Sequence, residues 1–108
     1  AENLGLIFQD WGIPTPVALR LSAPYRTQGC FVASGGVRDG IDMVKSVILG
    51  ASVCGVAAPF LQPAMESAEA VIEAIERLRK EFTTAMFLLG MPDVASLFGN
   101  ESLILEER

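Results

Sequence analysis

The chain has 108 residues, of which 51% are hydrophobic and 19% charged, a balance that excludes intrinsic disorder and fits one small domain. Thirteen acidic against eight basic residues give a net charge of −5, and the basic ones are scattered, so the striped basic footprint of a nucleic-acid binder is missing. Apolar runs at 44–51 and 53–61 are broken by Lys45, Gly50, Gly55 and Pro59, well short of the roughly 20 residues that span a bilayer. A soluble protein is expected, with neither nucleic acid nor a membrane as partner.

Residues 1–12 show no sustained period and end in Asp10-Trp11-Gly12. The segment Ile13-Pro14-Thr15-Pro16 reads as a helix entrance, with Thr15 as N-cap, Pro16 at the first helical position and a helix running to Leu21. Residues 24–29 are polar and turn-prone. They deliver the chain to residues 30–34, a short apolar run with the character of a strand buried on both faces. Asp39-Gly40-Ile41-Asp42 opens a second helix, with Ile41, Val44, Lys45, Ile48 and Leu49 in helical period and Gly50 as its stop. Residues 52–57 read as a second buried strand, and 59–63 as a turn or short helix. From 64 to 89, apolar residues at Val71, Ile75, Leu78, Phe82, Met86 and Leu89 alternate with Glu and Lys, predicting one long amphipathic helix that Gly90-Met91-Pro92 ends. Residues 93–98 add one more helical turn ahead of an unassigned acidic tail.

Helix, strand, helix, strand, helix at this spacing is the rhythm of a tight parallel crossover. Two parallel strands with three or more helices would leave a sheet face and two edges bare, so the chain is not expected to be a complete folding unit. A (β/α)₈ TIM barrel uses roughly 30 residues per unit. The fold class predicted is α/β, with residues 1–108 forming the C-terminal portion of a single TIM-barrel domain. The start Ala1-Glu2-Asn3-Leu4, lacking an initiator Met and the order of a secretory signal, agrees with an excerpt of a longer chain. Cys30 and Cys54 lie in the two strand-like segments without metal-site spacing, and are expected to be reduced core thiols of a cytoplasmic protein. With no histidine, imidazole chemistry would have to come from elsewhere.

The stretch ASGGVRDG, residues 33–40, then acquires a role. Gly35 and Gly36 follow the first strand, at the end where barrel sites collect and where glycine lets a ligand approach the backbone. Unpaired N–H groups and the positive end of the next helix suit a phosphate, and Arg38 adds a charged donor. Val56-Ala57-Ala58 ahead of Pro59 repeats the arrangement after the second strand. Barrels commonly place a phosphate between the loops after strands 7 and 8, beside a short extra helix. Glycines after a strand also mark ordinary turns, so the paired loops carry more weight than either alone.

The strings FQDWGIPT, ASGGVRDGIDMVKSVILGA and VCGVAAPFL, in this order and over nearly the whole chain, resemble the C-terminal part of the type 2 isopentenyl-diphosphate Delta-isomerases. The middle string is common to many flavin mononucleotide (FMN) barrels. The flanking ones discriminate, because the 2-hydroxy acid oxidases usually show Gly-Arg-Pro where this chain has Ala57-Ala58-Pro59. The resemblance implies an enzyme that interconverts isopentenyl and dimethylallyl diphosphate with no net redox change, using reduced FMN, NADPH as reductant and Mg²⁺ held by residues outside this chain. It implies that Gly35, Gly36, Val37 and Arg38, with Ala57 and Ala58, hold the flavin phosphate, and that the enzyme is a homo-oligomer. No catalytic or metal residue is assigned here. Glu66, Glu69 and Glu73 read as a solvated face, Trp11 as a packing residue, and Asp42 with Lys45 as a surface pair. The rival readings are an FMN-dependent 2-hydroxy acid oxidoreductase, a flavin-free phosphosugar barrel enzyme, and a non-catalytic module that binds a partner through the long helix.

Overall fold

A computed structural model describes residues 2–105. Among the described residues, six α-helices and two strands follow one another as α1 (Glu2–Ile7), α2 (Thr15–Ser22), β1 (Val32–Ala33), α3 (Gly40–Ile48), β2 (Val53–Cys54), α4 (Ala58–Glu66), α5 (Ala68–Leu89) and α6 (Val94–Leu97). Short 3-10 helices occupy Ala23–Gln28 and Glu101–Leu103. The class is α/β, mostly helical, with two parallel strands among the described residues.

The strands pair Val32 with Val53 and Ala33 with Cys54. Main-chain bonds from Ser52 N to Phe31 O (2.8 Å) and from Gly55 N to Ala33 O (2.7 Å) extend the ladder at both ends. The strands are shorter than predicted and are not buried on both faces. Ala33 is fully buried beside Leu19 of α2 and Ala51, whereas Val32 and its partner Val53 are 60% and 57% exposed. One face of the pair is thus packed and the other is bare.

Helix α3 links the strands and carries the main core. Val44, Val47 and Ile48 meet Leu97 of α6, with Phe82, Ala85 and Met86 of α5 closing over them. Ile41, expected on the inner side of α3, is exposed, and Ser46 takes an inner place by donating its hydroxyl to Asp42 O at 2.8 Å. Such a bond to the carbonyl one turn back lets a small polar side chain be buried without an orphan donor.

The long helix expected over 64–89 is broken at Ser67. Helix α4 already begins at Ala58 and ends at Glu66, and Ser67 then caps α5 by accepting from Ala70 N at 3.0 Å. A serine that satisfies an otherwise orphan donor gives the chain a reason to restart the helix there. Helix α5 buries Ala74 and Leu78 and packs across both α3 and α4. Leu89, placed by periodicity in the inner stripe, is instead partly exposed. Gly90 ends α5 in the left-handed region at φ 72°. Asp93 caps α6, and the end of the acidic tail lies outside the described residues.

Four further sequence expectations change in the first thirty residues. The stretch before Asp10 contains α1 rather than irregular chain, and 24–28 lie within a 3-10 helix that Gly29 ends. Trp11 does not fill a packing gap: it is 81% exposed, edge-on to Phe8 with ring centroids 5.4 Å apart. Cys30 is exposed rather than a core thiol, while Cys54 is partly buried.

Candidate functional site

The chain leaves β1 and β2 side by side, at Ser34 and Gly55. Gly55 leaves β2 so close to Ser34 that a Cβ there would lie 3.0 Å from the Ser34 hydroxyl oxygen. The absence of a side chain at Gly55 therefore lets the two strand ends run side by side. Gly35 and Gly36 follow at φ 97° and 76°, in the region that residues with a Cβ seldom adopt. Val37 is buried and anchors the loop from below.

Among the described residues, the amides of Gly35, Gly36 and Val37 have no hydrogen-bond partner, nor do those of Ala57 and Ala58. Ala57 is the N-cap of α4 and supplies no side-chain acceptor, so the positive end of that helix is uncapped. Pro59 in its first turn removes one donor that would otherwise need a partner.

Other amides near the loop are committed. Arg38 N donates to Asp42 Oδ2 at 3.1 Å, and the Nε of the same arginine donates to the same oxygen at 3.3 Å. Asp42 thus pairs with Arg38 rather than with Lys45. Gly40 N donates to Glu81 Oε1 of α5 at 3.0 Å, and Asp42 N to Asp39 Oδ1 at 2.8 Å. The α3 N-terminus is therefore filled by the protein's own carboxylates. The donors left open are instead the glycine amides and the start of α4. Arg38 is 77% exposed, and its terminal guanidinium nitrogens are left available.

Thr15 does not act as an N-cap. Pro14 takes that position, and the Thr15 hydroxyl faces the loop, 3.1 Å from Ser34 O and 2.8 Å from Gly35 O. Neither Thr15 nor Asp42 was assigned to the site from sequence. The Arg38-to-Asp42 spacing of one helical turn was a readable signal; nothing local marks Thr15 as facing a loop so distant in sequence.

Two hollows flank these elements. One of about 170 Å³ lies behind the loop, between α2 and α3, bordered by Thr15, Gly36, Arg38 and Lys45. A larger one, about 580 Å³, is bordered mainly by apolar residues including Val56, Phe60, Leu78 and Met86. Its walls offer few donors, so its size does not make it the better anion site. Burial raises the Cys54 thiol pKa at its margin, with a smaller opposing pull from the Ser46 hydroxyl. Glu66, Glu69 and Glu73 are exposed, and the described residues contain no cluster of three metal-ligating side chains.

A sequence model described as FMN-dependent dehydrogenase matches residues 22–105. The chain belongs to the FMN-dependent dehydrogenase family. A relative from Hydrogenovibrio crunogenus, named isopentenyl-diphosphate delta-isomerase, is 62% identical over 103 residues, covering 95% of this chain and 30% of that protein. A protein of the same name from Paracoccus zeaxanthinifaciens is 53% identical over 107 residues, covering 95% of this chain and 31% of its own length. Another, from Methanoregula boonei, is 47% identical over 89 residues, 82% of this chain and 24% of its length. The chain thus spans under a third of these relatives. FMN bears a phosphate, an anion of the class that unpaired main-chain amides at a helix start can accommodate.

Proposed function

We propose that this chain is the C-terminal part of a (β/α)₈ barrel enzyme that interconverts isopentenyl and dimethylallyl diphosphate, and that it supplies the phosphate site for FMN. The observation that carries the site is that two neighbouring strand ends, in contact at Ser34 and Gly55, each lead into unpartnered amides, Gly35 to Val37 after one and Ala57 to Ala58 after the other. Relatives named isopentenyl-diphosphate delta-isomerase, 62% and 53% identical over 95% of the chain, support the isomerase activity. The exposed faces of Val32 and Val53 support the barrel, because opposed apolar residues on a parallel pair call for further strands and side chains to cover them.

The local chemistry fits the phosphate end of FMN. Two successive glycines at positive φ leave the amides unobstructed by a Cβ, and the uncapped start of α4 adds the favourable end of a helix dipole. Arg38 donates from its terminal nitrogens while its Nε stays on Asp42, giving a guanidinium that is both charged and oriented. Reduced FMN, once bound, supplies the acid and base function for the double-bond shift, with NADPH as reductant and Mg²⁺ on the substrate diphosphate. The residues of this chain bind, neutralise and orient one end of the cofactor. A cytoplasmic homo-oligomer completes the reading.

The family's dehydrogenase name alone favours 2-hydroxy acid oxidation. The sequence Ala57-Ala58-Pro59 and the relatives just described favour isomerisation. An interaction module built on the long helix is disfavoured, because α5 uses its inner stripe against α3 and α4. The deciding experiment takes the full-length protein, records its visible spectrum, and assays isomerisation anaerobically with NADPH and Mg²⁺. A flavin spectrum with conversion of isopentenyl diphosphate supports the proposal. A colourless protein, or flavin turnover driven only by a 2-hydroxy acid, overturns it.

A further inference from the structure

The glycine loop is held from behind by a single side chain of α2. The Thr15 hydroxyl reaches the carbonyl oxygens of Ser34 at 3.1 Å and Gly35 at 2.8 Å, across about twenty residues of sequence. No cis peptide bond occurs among the described residues. Across a planar trans peptide, a carbonyl and the following N–H point in opposite directions. Turning the Ser34 and Gly35 carbonyls toward α2 therefore turns the N–H groups of Gly35 and Gly36 away from it. Those two amides are among the unpartnered donors of the loop.

Two glycines in a row can adopt many backbone conformations, so the direction of their peptide planes needs an external restraint. Thr15 is well placed to supply one. It is half-buried in the first turn of α2 between Pro14 and Pro16, whose fixed φ stiffens the chain on both sides. Its contact with the loop is close enough that a Cβ at Gly35 would lie 3.3 Å from the Thr15 hydroxyl oxygen.

We infer that Thr15 is a positioning residue for the flavin phosphate, acting through the Ser34 and Gly35 peptide planes and without touching the ligand. The inference rests on the phosphate-site reading above. Donors aimed in advance lower the ordering cost of binding, so removal of the hydroxyl weakens recognition of the phosphate specifically.

The test uses full-length protein freed of flavin and compares its affinities for FMN and riboflavin, which differ only in the phosphate. Thr15→Val keeps the side-chain shape and removes the hydroxyl; Thr15→Ser keeps the hydroxyl. Thr15→Val is expected to weaken FMN binding about fivefold to tenfold, the scale of a lost hydrogen bond. Riboflavin affinity is expected to be unchanged, and Thr15→Ser to bind FMN like the parent. Equal losses for both flavins, no loss for either, or failure of Thr15→Ser to restore FMN binding would each overturn the inference. If Thr15→Val does not fold, Thr15→Ala is judged by the same FMN-to-riboflavin ratio. Arg38→Ala, measured alongside, separates the two claims. Loss of FMN affinity there with none at Thr15→Val removes only the role of Thr15, whereas loss at neither removes the phosphate site as well.

Discussion

Glu81, near the middle of α5, accepts a hydrogen bond from the main-chain N–H of Gly40 at 3.0 Å and so caps α3 from a neighbouring helix. The approach is possible because residue 40 has no side chain: a Cβ there would collide with Glu81 Cβ and with the Phe82 amide nitrogen, and lie 2.8 Å from the Glu81 carbonyl carbon. Backbone atoms in the middle of a long helix cannot move aside cheaply. Gly40→Ala is therefore expected to cost about 3 kcal/mol, the upper range for overpacking. Glu81→Ala, which removes only the cap, is expected to cost about 1 kcal/mol. Chemical denaturation of both variants checks the order, and equal losses would contradict it.

Arg26 plays a comparable part at the other end of α3. Its Nη2 donates to Leu49 O at 3.1 Å and meets Glu101 at 3.5 Å, while its Nε is buried without a hydrogen-bond partner. The side chain lies across Gly50, where an added Cβ would collide with Nε and come within 2.9 Å of Cζ. Gly50 also sits at φ 107°, which any side chain would strain. Gly50→Ala is expected to lose about 2 kcal/mol from these two effects together. Arg26→Met is expected to lose under about 1 kcal/mol, because it gives up one neutral acceptor and an exposed pair but also removes the orphan donor. Thermal or denaturant unfolding that reversed this order would contradict the account.

The alternation of elements was legible because it depends on local signals. Gly50 and Gly90 stop helices, Asp39 starts one, and apolar runs mark both strands. What escaped depended on distant partners. Ser67 sits inside a continuous amphipathic pattern, and its capping of Ala70 outweighs the periodicity that would carry the helix through. Thr15 and Pro14 both suit a helix start, and the competing carbonyls of Ser34 and Gly35 arrive only when β1 is in place. Arg38 was singled out by its place beside two glycines. The Asp42 carboxylate that holds it was paired with Lys45 because both neighbours lie about one helical turn away. Val32 and Val53 read as buried on the logic of a complete parallel sheet, and the described residues supply one layer over the two strands.

That carboxylate leads to an expectation for cofactor affinity. One oxygen of Asp42 receives both the main-chain N–H and the Nε of Arg38, so it fixes the loop and the guanidinium together. Arg38→Ala in the full-length protein is expected to weaken FMN binding by about 1.5–3 kcal/mol, the scale of a charged hydrogen bond. Asp42→Ala leaves the positive charge in place and frees its direction, so a smaller loss of about 1 kcal/mol is expected. Calorimetric titration of FMN into each flavin-free variant measures both, and a larger effect at Asp42 than at Arg38 would contradict the assignment.

The two cysteines should differ in reactivity with a defined dependence on pH. Cys30 is exposed, whereas Cys54 is partly buried, with its Sγ 3.8 Å from Met43 O. Burial lifts the Cys54 pKa above the ordinary value of 9.0, outweighing the Ser46 hydroxyl. Because the thiolate is the nucleophile, a raised pKa lowers its fraction at any pH below the folded value, and access through the surrounding side chains lowers the rate again. Iodoacetamide is therefore expected to label Cys30 first between pH 7 and 9, with Cys54 gaining as pH rises. The same shift carries a sign for stability. The contribution is fully present below pH 9.0 and falls as pH rises from there through the folded value, because the unfolded thiol releases its proton first. Cys54→Ala should lose less stability between pH 8 and 10 than the parent protein. Residue-resolved mass spectrometry and denaturation at several pH values test the two halves separately, and labelling of Cys54 ahead of Cys30 would contradict the packing described for β2.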